Sequence, residues 1–285
     1  MTTSKTDATQ RTIDQFRVGF EPNYIPQDDE EKTFRVAFET RIPLIIKGPT
    51  GCGKTRFIEH MAHGLDLPLV TVSCHEDLTA ADLVGRFIFR DEEMVWQDGP
   101  LTLAVRHGGI CYLDEIVEAR KDTTVIIHSL TDDRRILYID KTGEVVRAHP
   151  RFMMVLSYNP GYQSIVKDLK HSTKQRFASL TFDHPTAETE ARIICSETGL
   201  DEEQSAKLAE MGSKVRELKG YGLDEGVSTR LLVYVGRLIT GGLEPVEACD
   251  TAITRTLTEE HEVAESIRDI VKLYFGDVMG AENDE

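Results

Sequence analysis

Eight consecutive residues, Gly48-Pro49-Thr50-Gly51-Cys52-Gly53-Lys54-Thr55, form a complete G-x-x-x-x-G-K-[ST] run in which each fixed position has a chemical task. The glycines let backbone N–H groups turn inward around phosphate oxygens. Lys54 is long enough to reach the β- and γ-phosphates of a nucleotide, and the Thr55 hydroxyl can sit on Mg²⁺. A chance glycine-rich turn is the plain alternative. The context opposes it: Ile42 to Lys47 is a short apolar strand candidate leading in, and Arg56 to Leu65 follows as an amphipathic helix whose N-terminal dipole faces the loop.

Two further stretches carry polar chemistry at the end of an apolar run. Gly109 to Leu113 closes on Asp114-Glu115 about sixty residues after the loop. At the carboxyl edge of a parallel sheet, Asp114 would hold Mg²⁺ through its water shell, and Glu115 would polarise an attacking water as general base. Phe152 to Ser157 leads through Tyr158 to Asn159-Pro160. Asn159 is either an ordinary turn-forming residue before proline or an amide that orients water beside a γ-phosphate. A phosphate site on the neighbouring strands favours the second reading.

These residues need a scaffold that brings strand ends together. Strand candidates at Leu44–Lys47, Leu69–Ser73, Ile110–Leu113, Phe152–Ser157 and Leu180–Phe182 alternate with helical stretches. That pattern predicts a parallel sheet covered on both faces by helices. Two hairpins interrupt the alternation as inserts. In one, Gly85–Arg90 and Met94–Gln97 flank Asp91-Glu92-Glu93; in the other, Ile136–Asp140 and Glu144–Arg147 flank Lys141-Thr142-Gly143. Phe87 and Phe89 share one face of the first hairpin, placed either to pack the insert onto the body or to meet a partner. Phe16 to Pro26, with two prolines, reads as an extended segment laid across the core. Beyond Pro185 only helical spacing remains: Thr186–Thr198, Asp201–Leu218, Ser228–Thr240, Pro245–Thr256 and His261–Tyr274. The expected division is a flexible N-terminus over 1–15, an α/β nucleotide-binding domain over 16–185, a helical lid over 186–278 and an acidic tail over 279–285.

Net charge is −16, which argues against a nucleic-acid polyanion as main partner. Met1 to Gln10 lacks the apolar core of a signal peptide, and no stretch reaches the ~18 apolar residues of a membrane helix. Cys52, Cys74, Cys111, Cys195 and Cys249 are widely spaced and odd in number, as expected of reduced thiols in a cytoplasm. Cys52 reads as a small filler in the loop, with oxidation that blocks the loop as the alternative. Cys74-His75-Glu76-Asp77 contains ligand-type residues, but neighbours in a strand exit point apart and no second cluster has zinc spacing.

The loop, the Asp114-Glu115 pair, Asn159 and the helical tail together resemble the AAA+ ATPases. The two hairpins, one interrupting the second helix and one preceding the Asn159 strand, resemble the MoxR branch. The runs Gly48–Phe57, Cys74–Gly85, Leu113–Arg120, Ser157–Gln163 and Ser172–Phe177 are similar to the CbbQ/NirQ/NorQ group over roughly residues 20–275. The resemblance implies a P-loop NTPase fold, ATP and Mg²⁺ as cofactors, and a homo-oligomeric ring, usually hexameric, whose sites are completed by a neighbour. Arg176 matches the arginine finger supplied to that neighbour, against a plain reading as a helix-end cap. Arg230 matches a second sensor reaching the γ-phosphate in cis; a cation in the first turn of a helix is otherwise unfavourably placed. The family further implies a remodelling motor that works with a CbbO-like von Willebrand factor A domain protein on Rubisco as client. Nitric oxide reductase maturation, gas-vesicle assembly and a nucleotide-gated scaffold are the alternatives.

Overall fold

A computed structural model describes residues 13–160, 169–223 and 225–276 of the 285-residue chain. The terminal expectations for 1–12 and 277–285, and the end of the Ser157–Gln163 run, lie outside the described residues. Five strands form an all-parallel sheet in the order β2-β5-β8-β1-β9: β1 is Leu44–Lys47, β2 Leu69–Ser73, β5 Gly109–Asp114, β8 Phe152–Tyr158 and β9 Ala178–Thr181. The register sets Leu44 beside Val155 and Ala178, Cys111 beside Met154, and Val70 beside Cys111. β8 is buried along its whole length, as a central strand covered on both faces requires. Ile45, Val70, Leu113 and Leu156 anchor the apolar core on these strands.

The first insert is a hairpin of β3, Gly85–Arg90, and β4, Glu93–Asp98, and it separates the helices Ala80–Val84 and Pro100–His107. Glu93 belongs to β4 rather than to the turn. The two turn residues are Asp91 and Glu92, both at positive φ (52° and 67°), the sense that matches strand twist in a two-residue hairpin. Phe87 stacks edge-on against Trp96 with centroids 5.2 Å apart, and both Phe87 and Phe89 remain exposed. The insert is therefore held by Trp96, which packs on the core, and not by the two phenylalanines. The second insert pairs β6, Ile136–Ile139, with β7, Glu144–Arg147, around a turn that ends on Gly143 at φ 70°.

Before β1, the helix Glu30–Thr40 has no counterpart among the sequence expectations. Ahead of it the chain is extended: Arg17 bridges Pro68, and the Leu69 N–H donates to the Phe16 carbonyl.

The chain forms two compact units. One holds the residues up to Pro49 together with Lys54–Phe182; the other holds Thr50–Gly53 together with the chain from Asp183 onward. The second unit is helical around its own core of Leu208, Leu232, Ile253 and Ile267. Its helices start where capping residues stand. Thr186, Asp201 and Ser228 each accept the N–H three residues on, opening helices at Ala187–Thr198, Glu202–Arg216 and Thr229–Thr240. The helix expected over Pro245–Thr256 is present but widens in the middle: Pro245–Cys249 runs through a π-turn at Asp250–Thr254 into Arg255–Leu257. The wider π spacing suits the Asp250–Arg255 ion pair at 2.8 Å, five residues apart. A helix over His261–Phe275 follows, one residue longer than the spacing predicts.

Candidate functional site

Sheet order decides what can meet. β5, β8 and β1 are consecutive, so Asp114 at the end of β5, Asn159 just past β8 and the loop leaving β1 open on one carboxyl edge. The Gly48 N–H donates to the Tyr158 carbonyl at 3.3 Å and fastens the start of the loop to β8. Gly51 and Gly53 take φ of 69° and 99°, the left-handed values that turn successive amides inward. Lys54 opens the next helix and is 7% exposed; its ammonium donates to the Gly48 and Pro49 carbonyls, both at 2.8 Å. Cys52 is buried, as a filler would be.

The acids are held by β5 and β8. Tyr112 and Asp114 are two apart on β5 and share a face. The Tyr112 hydroxyl donates to Asp114 Oδ1 at 2.7 Å, and the Ser157 hydroxyl on β8 donates to the same oxygen. Tyr112 is also hydrogen-bonded to Thr55, and its own ionisation is pushed up by burial and by Asp114. Thr55 and Asp114 thus converge on one phenol.

Glu115 leaves the strand at φ 54°, ψ 47°, a left-handed conformation unusual for a residue other than glycine. Its N–H donates to Ser157 Oγ at 3.2 Å, and its carboxylate accepts the N–H of Asn159. Burial is the largest influence on this carboxyl and raises its pKa; Lys54 pulls it down, Asp114 and Glu118 push it up, and the net shift is upward. Asn159 is 4% exposed. The residues that sequence reasoning passed over are Tyr112 and Ser157, polar side chains in apolar strands. The signal was available, because each sits two residues before a proposed site residue and so on the same strand face.

A hydroxyl and a carboxylate are the hard oxygen donors that Mg²⁺ accepts while it keeps waters and phosphate oxygens in its shell. Thr55 and Asp114 fit that set. Among the described residues no three His, Cys, Asp or Glu gather into a protein cage. Cys74, whose N–H donates to the Asp114 carbonyl, has its thiol pushed up to about 12 by burial and then by Asp114 and Glu115.

Arg176 lies elsewhere in the first unit, just past the helix His171–Lys174. One terminal nitrogen donates to the Ser172 carbonyl at 2.7 Å, and its charge bears on His128 and Asp132. Among the described residues no hydrogen bond or ion pair joins it to Lys54, Asp114 or Glu115. Arg230 is exposed on the first turn of Thr229–Thr240. Within the second unit, a Cβ built on Gly51 would lie 2.6 Å from the Ser228 Cβ and 3.4 Å from that of Arg230.

The chain is similar to known proteins over most of its length. Residues 43–177 match the AAA domain (dynein-related subfamily), and residues 190–274 match the CbbQ/NirQ/NorQ C-terminal family. The chain is 56% identical over 261 residues to Protein CbbQ of Hydrogenophilus thermoluteolus, covering 92% of this chain and 98% of that protein. It is 53% identical over 255 residues to Protein NorQ of Paracoccus denitrificans, covering 90% and 94%. Identity to the denitrification regulatory protein NirQ of Stutzerimonas stutzeri is 49%, covering 90% and 93%. A solved RuvB variant from Thermotoga maritima shares the fold at TM-score 0.54 and 15% identity, covering 89% of this chain and 73% of that one. The chain is an AAA+ ATPase of the MoxR type and belongs to the CbbQ/NirQ/NorQ family.

Proposed function

We propose that this ATPase is a ring-forming remodelling motor with its hydrolytic site at the β5–β8–β1 edge. The observation that carries the reading is the convergence there of the Gly48–Thr55 loop, Asp114, Glu115 and Asn159. The loop amides and Lys54 bind the phosphates. Thr55 and Asp114 hold Mg²⁺, which supplies charge neutralisation on the phosphate oxygens. Glu115 takes the proton of the attacking water, and the Asn159 amide orients that water. Arg176, away from its own loop, acts on a neighbour's nucleotide, where such fingers contribute about 10³–10⁵ in rate. Arg230, near Gly51 within the second unit, acts as a second sensor of the γ-phosphate. The first compact unit, ending at Phe182, takes the role of the nucleotide-binding domain, and the helical unit from Asp183 that of the lid.

The assembly is a hexameric, cytoplasmic ring. Its partner is a CbbO-like von Willebrand factor A domain protein, and its client is Rubisco freed of inhibitory sugar phosphates. The 56% identity to a protein named CbbQ supports this client. A second reading, nitric oxide reductase maturation, is supported nearly as well by the 53% identity to NorQ. Co-purification with each candidate partner in ATP, followed by activity of the recovered client, separates them. Reactivation of inhibited Rubisco supports the first reading; recovery of active reductase alone overturns it. Among the described residues no helix is long and apolar enough to cross a membrane.

A further inference from the structure

We propose that Ser157 is a positioning residue for ATP hydrolysis, its one hydroxyl setting the Asp114 carboxylate and the Glu115 main chain together. The inference rests on the site proposed above. Ser157 has no exposed surface and follows five buried apolar residues, Phe152 to Leu156. A hydroxyl in such a place must be hydrogen-bonded or it destabilises the strand. It is bonded to the Asp114 carboxylate, to the Glu115 main chain and to the Tyr112 hydroxyl, and the first two belong to the acidic pair of the proposed site. Its proton goes to Asp114 Oδ1, and its oxygen accepts the Glu115 N–H at 3.2 Å.

The chain of bonds runs from the Glu115 amide through Ser157 Oγ to the Asp114 carboxylate, and each bond polarises the next. Two consequences follow. Asp114 Oδ1 takes both the Ser157 and the Tyr112 hydroxyls, so Oδ2 is the oxygen that would serve a cation. Glu115 is held in a left-handed conformation that is unfavourable for an L-residue, and the Ser157 acceptor helps to hold it there. Two residues on, the Asn159 N–H holds the Glu115 carboxylate, so the end of β8 orients both the main chain and the side chain of the base. Tyr112 differs: it bonds Asp114, Ser157 and Thr55 but, among the described residues, has no hydrogen bond to Glu115.

The test uses Ser157→Ala, Ser157→Thr and Tyr112→Phe in the full chain. Mn²⁺ affinity is read by electron paramagnetic resonance with a non-hydrolysable ATP analogue; analogue affinity in EDTA, kcat and Tm are measured alongside. Ser157→Ala is expected to bind the analogue in EDTA like wild type, yet to lose about tenfold in Mn²⁺ affinity and about tenfold or more in kcat. Ser157→Thr, which keeps the hydroxyl, restores most of both losses. Tyr112→Phe weakens Mn²⁺ with a smaller loss of kcat. Ser157→Ala with unchanged Mn²⁺ affinity and kcat, or with only a lowered Tm, overturns the proposal, as does a threonine variant as impaired as the alanine one. Should the alanine variant not fold, Ser157→Cys keeps the volume with a poor hydrogen-bonding group and takes its place. Failure of the hydrolytic reading shows separately, as normal turnover by Glu115→Gln, while the Mn²⁺ result still decides the Ser157–Asp114 bond.

Discussion

The Arg216 guanidinium forks onto the fully buried Glu190 carboxylate, with bonds of 2.8 and 2.6 Å, inside the helical unit. Thr229 adds a third donor to Glu190 at 2.6 Å, and Arg216 Nε donates to the Val227 carbonyl at 2.8 Å. These bonds fix the chain on both sides of Ser228, the cap of the helix that carries Arg230. Removing one partner leaves an uncompensated buried charge. Arg216→Ala is therefore expected to destabilise the protein by about 3–5 kcal/mol. Circular dichroism during urea unfolding reads this directly. A loss below about 1 kcal/mol, the scale of an exposed pair, would mean that the fork contributes no more than surface charge.

Glu30 predicts an acid-sensitive anchor. It is 8% exposed and accepts the Tyr24 hydroxyl at 2.6 Å and the Gln27 and Asp28 amides at 2.8 Å each. Burial pushes its pKa up, but these bonds outweigh burial and the net shift is below the ordinary 4.5. A depressed folded-state pKa stabilises above the unfolded value, and that stability is lost as pH falls through the folded one. Glu30→Gln should lower Tm at pH 7, and the gap from wild type should close as pH drops below 4.5. A gap independent of pH would exclude a charged anchor.

The thiols should react in a set order. Cys74 and Cys249 are buried with pKa pushed up to about 12 by burial, and Cys111 is pushed up further. Cys195 is half-buried. Brief alkylation at neutral pH, mapped by mass spectrometry, should label Cys195 before any of these three. Early labelling of Cys74 would contradict the burial that protects it.

The sheet edge was legible because β5 and β8 are largely apolar runs that give way abruptly to polar residues. Asp114 and Asn159 stand out for that reason. Tyr112 and Ser157 did not, because a single polar residue inside an apolar run reads as tolerated rather than placed; only the two-residue strand period ties each to its site partner. The capped starts at Thr186, Asp201 and Ser228 follow from residue type. The π-turn at Asp250–Thr254 does not, since one extra residue per turn leaves the helical pattern of a short segment nearly unchanged. The helix Glu30–Thr40 escaped notice beside the proline-bearing stretch before it. Arg176 illustrates a different limit: its side chain caps Ser172 in one chain, and a role on a neighbouring nucleotide comes from family resemblance alone.

The central claim is that Glu115 is the base of a hydrolytic site built at the ends of β5 and β8. The direct measurement is ATP binding and turnover by Glu115→Gln, which preserves shape and the Ser157 bond to its main chain while removing the charge. The account predicts wild-type ATP affinity with turnover reduced by about 10²-fold or more. Turnover at the wild-type rate would contradict it.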